Sequence, residues 1–440
     1  MIEYFIKHYD QISKGGWSVF IRKLGTLVRR TLFFIVEIPL YLIAVPMVLL
    51  IRLISPLLLI RFGSLNQSVI GDFAFDTESY LSERELKNDS SLELFWYRGG
   101  DYLSNKQWIW YRGNYLSNKQ WKIMAERNLK IYPFVKYLDK INDFILAGNK
   151  HKIIIRPSGV LGASSRDYKD VFYHTKPHIK FTKDEIDRGN GFLRDIGIDS
   201  DEKFVCIIVR DHVYKENYQK HVKSDWSYHS NRNSDIQKCS EAALYLANNG
   251  YWVFRMGKGV ESRFNHKHEK IIDYASSDFR SDFLDIYLFS KCYFCLAGHA
   301  GVHMIAHVYR KPVCQINVTQ IEYLLGWHDN NLLIFKKYWL KNENRFMTFK
   351  EIYESGSGKL VRTEEFKNRG IELIENTPEE ILDVSQEMFE RLNGTWEPAP
   401  EDEELQSAFR ALYPKDEYTS VLRARIGAKF LRQNQQLLIT

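Results

Sequence analysis

Between Phe204 and Asn317 the chain repeats one pattern: a short, almost wholly apolar run, then a segment with helical spacing. The runs are FVCIIV (Phe204 to Val209), YWVFRM (Tyr251 to Met256), KIIDY (Lys270 to Tyr274), CYFCLA (Cys292 to Ala297) and PVCQIN (Pro312 to Asn317). Continuously apolar strands separated by helices are the pattern of a parallel sheet covered on both faces. The intervening helices are expected over Ser234–Asn249, Ser281–Ser290 and Gly301–Tyr309. Ser234 would cap the first and Gly250 would end it. In the first half, Pro56–Phe62 (PLLLIRF) reads as a strand closed by Gly63, and Asp72–Leu86 as a helix. Leu92–Tyr97 and Lys152–Arg156 read as further strands flanking a helical Trp121–Ala147. Two such halves predict an α/β protein of two facing doubly wound domains, with ligands at the strand ends between them.

Composition removes several alternatives. The 440 residues are 45% hydrophobic and 26% charged, which is globular and excludes disordered or collagenous chains. A net charge of +6 is too small to argue for nucleic acid, but suits an anionic lipid surface or a phosphorylated substrate. Five cysteines point to reduced thiols in a cytosolic compartment.

The beginning of the chain is set apart by Thr31–Leu53, TLFFIVEIPLYLIAVPMVLLIRL. As a helix it would reach ~35 Å, enough to span a bilayer core. Yet Glu37 and Arg52 lie inside it, and Pro39 and Pro46 interrupt it. The preceding Met1–Arg30 mixes aromatics with Lys7, Lys14, Arg22, Lys23, Arg29 and Arg30, as an amphipathic helix on anionic lipid does. A full span with these cations inside would place the large domains outside the cell. A half-buried, monotopic arrangement keeps everything cytosolic and is the expectation; the plainer alternative is a buried core helix.

A local duplication stands in the first half. YRGGDYLSNKQW (Tyr97–Trp108) is followed by YRGNYLSNKQW (Tyr111–Trp121). Two copies do not make a solenoid, so the repeat reads as a tandem insertion in a surface loop.

Chemistry-bearing residues gather at the expected strand ends. Ala297-Gly298-His299-Ala300-Gly301 joins a strand to a helix, where small residues let a ligand approach the backbone and free N–H groups face an anion. Arg210 and Asp211 follow the first apolar run, Arg255, Gly257 and Lys258 end the second, and Asp273 and Tyr274 end the third. Cations near a helix start are what a nucleotide diphosphate requires, although each could be an ordinary loop residue. Asp282 and Asp285 open a helix and would cap it or touch a ribose. Cys292-x-x-Cys295 lies in an apolar strand and reads as buried thiols. His299, His303 and His307 have one-face helical spacing but no carboxylates at metal-ligand spacing.

Several longer motifs carry a resemblance. They are Tyr214–Tyr218, SYHSNRNSD (Ser227–Asp235), GYWVFRMGK (Gly250–Lys258), IIDYASSDFRSDFLDIYL (Ile271–Leu288), KPVCQIN (Lys311–Asn317), LIFKKYW (Leu333–Trp339), RFMTFKEI (Arg345–Ile352), IENTPEEI (Ile374–Ile381) and EMFERLNGTW (Glu387–Trp396). Together with the Gly298–Gly301 loop they resemble bacterial glycosyltransferases of surface-polysaccharide and O-antigen gene clusters, over roughly residues 57 to 440. RFGSLNQSVIGD (Arg61–Asp72) is similar to the first strand and loop of heptosyl- and fucosyltransferases, but its acid comes later after the strand. The resemblance implies a GT-B fold of two Rossmann-like domains, a nucleotide-sugar donor bound mainly by the second and a glycan acceptor by the first. With the membrane-associated segment 1–55 read above, the expected domains are an acceptor-side domain 56–190, a donor-side domain 191–396, and a linker with a C-terminal helix over 397–440. Asp72 becomes the candidate base, with helix capping as its alternative. His299 becomes a donor to phosphate or sugar, and Arg210, Asp211, Arg255, Lys258, Asp273, Tyr274, Asp282, Gly298, Ala300 and Gly301 become candidate substrate contacts. Ser227, Tyr228 and His229 could reach the donor sugar. No metal and no cofactor beyond the nucleotide-sugar substrate is expected. The implied acceptor is lipid-linked, at the cytosolic face of the inner membrane. A GT-B sugar-nucleotide epimerase and a non-catalytic scaffold of a polysaccharide assembly complex are the alternatives.

Overall fold

The computed structural model describes residues 16–17, 19–21, 24–25, 37–87, 90–98, 116–155, 166–213, 230–264, 266–415, 419 and 421–439. The chain forms two compact units. One draws on Met1–Asn66, Ser90–Tyr115 and Leu129–Ile154, the other on Gln67–Asp89, Leu116–Asn128 and Ile155–Thr440.

In the first unit, β1 (Ile60–Asn66) pairs in parallel with β2 (Leu92–Arg98), from Ile60 opposite Leu92 to Asn66 opposite Arg98. β1 starts four residues later than the apolar run suggests. Leu57 and Leu58 are apolar but exposed, so their hydrophobicity does not serve this sheet. The expected strand at Lys152 reduces to a single bridge with Phe62, and Arg156 lies outside the described residues. Gly63 is required where it stands, since a Cβ there would sit 2.5 Å from the Phe95 ring. The expected helix over 121–147 is two helices, Val135–Phe144 in this unit and Lys119–Asn128 in the other, separated around Pro133. A proline there cannot extend the first helix.

Residues 37–53 form an unbroken helix, running through Pro46. Ala44 and Val48 pack against Ile60, Phe62, Trp96, Val135 and Leu138 of the same unit. The two charges inside the apolar run are used here. Glu37 accepts from Lys136 Nζ and Tyr137 Oη, both at 2.9 Å. Arg52 caps the far end of the Val135–Phe144 helix, donating to the carbonyls of Asn142 and Ile145 (both 2.9 Å) and Leu146 (2.5 Å). A cation on the last carbonyls of a helix complements its dipole. Among the described residues no helix is long and apolar enough to cross a membrane.

The second unit holds the large sheet expected from the strand–helix repeat. Its strands are β3 (Phe204–Ile208), β4 (Trp252–Arg255), β5 (Ile271–Ile272), β6 (Phe294–Ala297), β7 (Val313–Val318), β8 (Leu332–Phe335) and, near the end of the chain, a late two-residue strand. A separate antiparallel sheet comes after β8: β9 (Lys337–Leu340) lies between β10 (Arg345–Phe346) and β11 (Ile371–Ile374). The late strand is β12 (Arg425–Ile426). The large sheet runs β12-β8-β7-β6-β3-β4-β5, and every pairing is parallel. β3, β6, β7 and β8 are buried at every position, as a sheet covered on both faces demands.

Three local expectations are corrected. Asp235, not Ser234, supplies the cap: its Oδ1 accepts from Gln237 N at 2.9 Å and opens the 3-10 turn Ile236–Cys239 that leads into the helix Ser240–Asn248. The linker expected at the start of 397–440 is partly helical: Asp402, Glu403 and Glu404 open the helix Asp402–Leu412, where negative charge suits the dipole. The C-terminal helix expected within 397–440 is not one piece: after Asp402–Leu412 the chain forms β12 and is α-helical again only over Ala428–Gln433.

Candidate active site at the strand ends of the large sheet

Because β8, β7, β6 and β3 are parallel neighbours, their chain exits are neighbours too. The chain leaves β3 towards Arg210, β6 at Gly298, β7 at Thr319 and β8 at Lys336. In parallel α/β sheets this edge is where ligands bind.

His299 is the centre of the group. Thr319 N–H donates to its Nε2 at 3.0 Å. Burial first, then Arg232, His303, Lys336 and Arg210, hold its pKa well below the ordinary histidine value. The ring is therefore neutral, and with Nε2 accepting, its proton sits on Nδ1. His303 Nδ1 bonds Ala300 O, and burial pushes its pKa down to about 4.

The charges of three cations act on this ring. Arg232 Nη2 donates to Gln320 Oε1 at 2.9 Å. Lys336, only 4% exposed, donates to the carbonyls of Asn231 (3.0 Å) and Asn233 (2.8 Å) and reaches Glu375 at 3.4 Å. Burial lowers its pKa against the pull of Glu375. Arg210 lies at the exit of β3 and its carbonyl accepts from Ser234 N at 3.0 Å. Sequence reasoning placed Arg210 and His299 here but passed over Arg232, Lys336 and Thr319. The signal for Lys336 was a lysine directly after four wholly buried strand residues, LLIF.

The Gly298–Gly301 loop is as tight as its composition implies. Ala300 N bonds Gly298 O at 2.7 Å. The helix expected after the loop is shorter than its spacing suggests: Gly301–His303 is 3-10 and only Met304–Val308 is α-helical. So short a helix has little macrodipole, and side-chain cations must supply the positive field. Gly71, in the first turn of the helix Ile70–Lys87, approaches this loop so closely that a Cβ on it would lie 2.6 Å from Gly301 O. This brings the start of Asp72's helix against the loop. Asp72 itself is half-buried.

The remaining candidates form a second group on the β4–β5 side, and they bond mainly to one another. Arg255, 2% exposed, donates to Asp273 Oδ1 and to Ser262 O, both at 3.0 Å. Asp273 Oδ2 also accepts from Phe264 N at 3.0 Å. Tyr274 is fully buried and its hydroxyl donates to Asp285 Oδ1 at 2.9 Å. Asp285 also pairs with Arg280, while burial pushes its pKa up to about 6. Asp211 accepts from Val213 N (3.1 Å) and Glu261 N (3.2 Å). Asp282 Oδ2 accepts from Lys119 N at 2.8 Å and Lys258 lies 3.8 Å from its Oδ1. These bonds tie the 257–264 loop and the 119–128 helix in place. Ser227, Tyr228 and His229 lie outside the described residues.

All five cysteines are free and buried. Among the described residues no group of three His, Cys, Asp or Glu side chains is arranged to hold a metal ion. Residues 116–121 of the second copy are built into the fold: Asn118 Oδ1 caps Trp121 N at 2.8 Å, its Nδ2 donates to Asp282 O at 2.8 Å, and Trp121 is buried. Residues 99–115, with most of the first copy, lie outside the described residues.

No protein-family description and no curated protein matches the chain. Among solved structures it is similar to a glycosyl transferase family 9 protein from Veillonella parvula, at 10% identity and a TM-score of 0.45, over 76% of this chain and 98% of that one. It is also similar to the E. coli ADP-heptose LPS heptosyltransferase II, at 8% identity and a TM-score of 0.31, over 58% of this chain and 84% of that one. An E. coli heptosyltransferase with ADP matches at 9% identity and a TM-score of 0.27, over 59% and 87% of the two chains.

Proposed function

We propose that this chain is a glycosyltransferase of the GT-B kind, moving a sugar from a nucleotide-sugar donor to a lipid-linked glycan at the cytosolic face of the inner membrane. The observation that carries the reading is the buried His299 at the exit of β6, on which the charges of Arg210 at the exit of β3, Lys336 at the exit of β8 and Arg232 all act. In glycosyl transfer the bond from the anomeric carbon to a phosphate oxygen breaks, and the diphosphate leaves with that electron pair. Fixed positive charge aimed at the leaving oxygens stabilises this step. His299 Nδ1–H is a neutral donor for a phosphate or sugar oxygen. The acceptor hydroxyl must lose its proton as it attacks, and Asp72 is the residue we assign as base. The donor side falls within 191–396 and the acceptor side within 56–190. Arg255, Asp273 and Tyr274 act as the frame of the donor side, and Lys258, Asp211 and Asp282 border it. No metal is needed in this reading, because side-chain cations supply the charge.

Calorimetric titration of the full chain with UDP-, GDP-, CMP-, ADP- and dTDP-sugars tests this, alongside Arg210→Ala and His299→Gln. One donor should bind, and each variant should weaken it about 10- to 100-fold, the loss of one charge-assisted contact. Folded protein that binds no donor would overturn the reading in favour of a non-catalytic scaffold.

A further inference from the structure

The outward face of the 37–53 helix is apolar from Ile38 to Leu50 without a charged side chain, and its large residues are exposed. It ends in a cluster of greater exposure. Leu53 is 75% exposed, Leu57 93%, Phe144 86% and Leu146 90%. Arg52 joins the two strips of chain that carry this cluster, through its bond to Leu146 O. Monomeric proteins rarely leave so continuous a patch to water.

We infer that this face lies flat in a bilayer interface, with Leu53, Leu57, Phe144 and Leu146 as the inserted tip. The inference rests on the membrane reading above and deepens it. A spanning helix would need lipid on all sides. Here the opposite face is committed to protein: Ala44 and Val48 are buried, and Glu37 and Arg52 are bonded to the 135–144 helix. The helix is ~25 Å long at 1.5 Å per residue, so it offers length along the surface rather than depth. Charge selects anionic lipid over a second copy of the chain. Lys140 and Lys150 stand exposed beside the tip. Residues 1–36, which precede the helix, carry six Lys and Arg against Glu3 and Asp10. Cations flanking an apolar face favour anionic headgroups and lose that attraction in salt.

The test uses full-length protein with vesicles of phosphatidylcholine alone or with 30% phosphatidylglycerol. Flotation should show binding at least ten-fold stronger to the anionic vesicles, weakened by salt. Leu57→Glu with Leu146→Glu should reduce it at least ten-fold while donor affinity stays unchanged, because both side chains are almost fully exposed in the free protein. Tryptophans placed singly at Ile43, Leu50 and Leu57 report depth through brominated lipids. Shallow quenching is expected at all three, strongest at Leu57 in the inserted tip. A gradient from deep Ile43 to shallow Leu57 would show a span and overturn the inference. So would absent vesicle binding, including the case where the protein instead dimerises through this face. The readout is binding, so an inactive enzyme that still docks refutes the glycosyltransferase reading alone.

Discussion

Gly71→Ala tests the link between the fold and the site. The added Cβ would lie 2.6 Å from Gly301 O and 3.1 Å from both Gly301 C and Cα. An ordinary carbon–oxygen contact is about 3.3 Å or more, so the two backbones must part by roughly 0.7 Å. Both obstacles are backbone, and no rotamer change relieves them. Overpacking of this kind costs about 1–3 kcal/mol, and the helix gains at most ~1 kcal/mol from replacing glycine. The net loss is about 1–2 kcal/mol. With an m-value of roughly 2–3 kcal/mol/M, the urea midpoint should fall on the order of half a molar. Gly191→Ala is the control, since it too is helical but meets only Arg194 Nη2 at 4.0 Å. It should be neutral or stabilising. Donor affinity should also fall about ten-fold in Gly71→Ala, because the Gly298–Gly301 loop carries His299. Equal midpoints for the two variants would refute the steric argument. A lowered midpoint with unchanged donor affinity would show that the loop's packing and the donor site are independent.

Arg52→Leu makes the 37–53 segment more hydrophobic, yet it should destabilise. Stripping the cap from the 135–144 helix should cost about 1–2 kcal/mol, and hydrogen exchange should rise at Ile141–Leu146; unchanged protection would mean the cap is idle. Asn118→Ala removes a cap and the bond to Asp282 O and should cost about 1–2 kcal/mol by urea unfolding; an unchanged midpoint would mean that neither bond matters. His178 donates its backbone N–H to Glu78 at 3.0 Å, and its ring bonds to Glu78 and Glu85 raise its pKa against burial. A raised pKa means the folded state holds the proton more tightly, so this contribution is complete below about pH 6.5 and is lost as pH rises through the raised value. This contribution to the Tm should therefore decline from about pH 6.5 upward, and His178→Gln should flatten that slope; an identical slope in the variant would discount the pair.

The large sheet was legible because continuously apolar runs such as FVCII and FCLA have no other economical use than a doubly covered sheet. β12 was not, because Arg425-Ile426 is two residues long and owes its conformation to β8 rather than to its own pattern. The antiparallel β9–β11 sheet was hidden for a similar reason: KYWL and IELI alternate weakly, and pairing decides them. In the site, His299 and Arg210 stood out because they come directly after apolar runs. Arg255 and Asp273 obeyed the same rule, yet a rule based on position cannot tell a cation bonded to a ligand from one bonded to a neighbouring carboxylate. Arg232 was missed because it lies in a polar stretch, where nothing local distinguishes an arginine aimed at a strand edge. Glu37 and Arg52 looked like faults in a membrane segment, since their partners on the 135–144 helix are about 90 to 100 positions away along the chain.

The pairing of β12 with β8 joins Arg425 to Leu332, and this has a consequence for biosynthesis. At roughly 5–20 residues per second on the ribosome, the growing chain exposes the outer edge of β8 for on the order of 5–20 seconds before its neighbour is made. An open strand edge invites pairing with other chains. The apolar 37–53 helix, by contrast, emerges early and gains its partner helix within the first 150 residues.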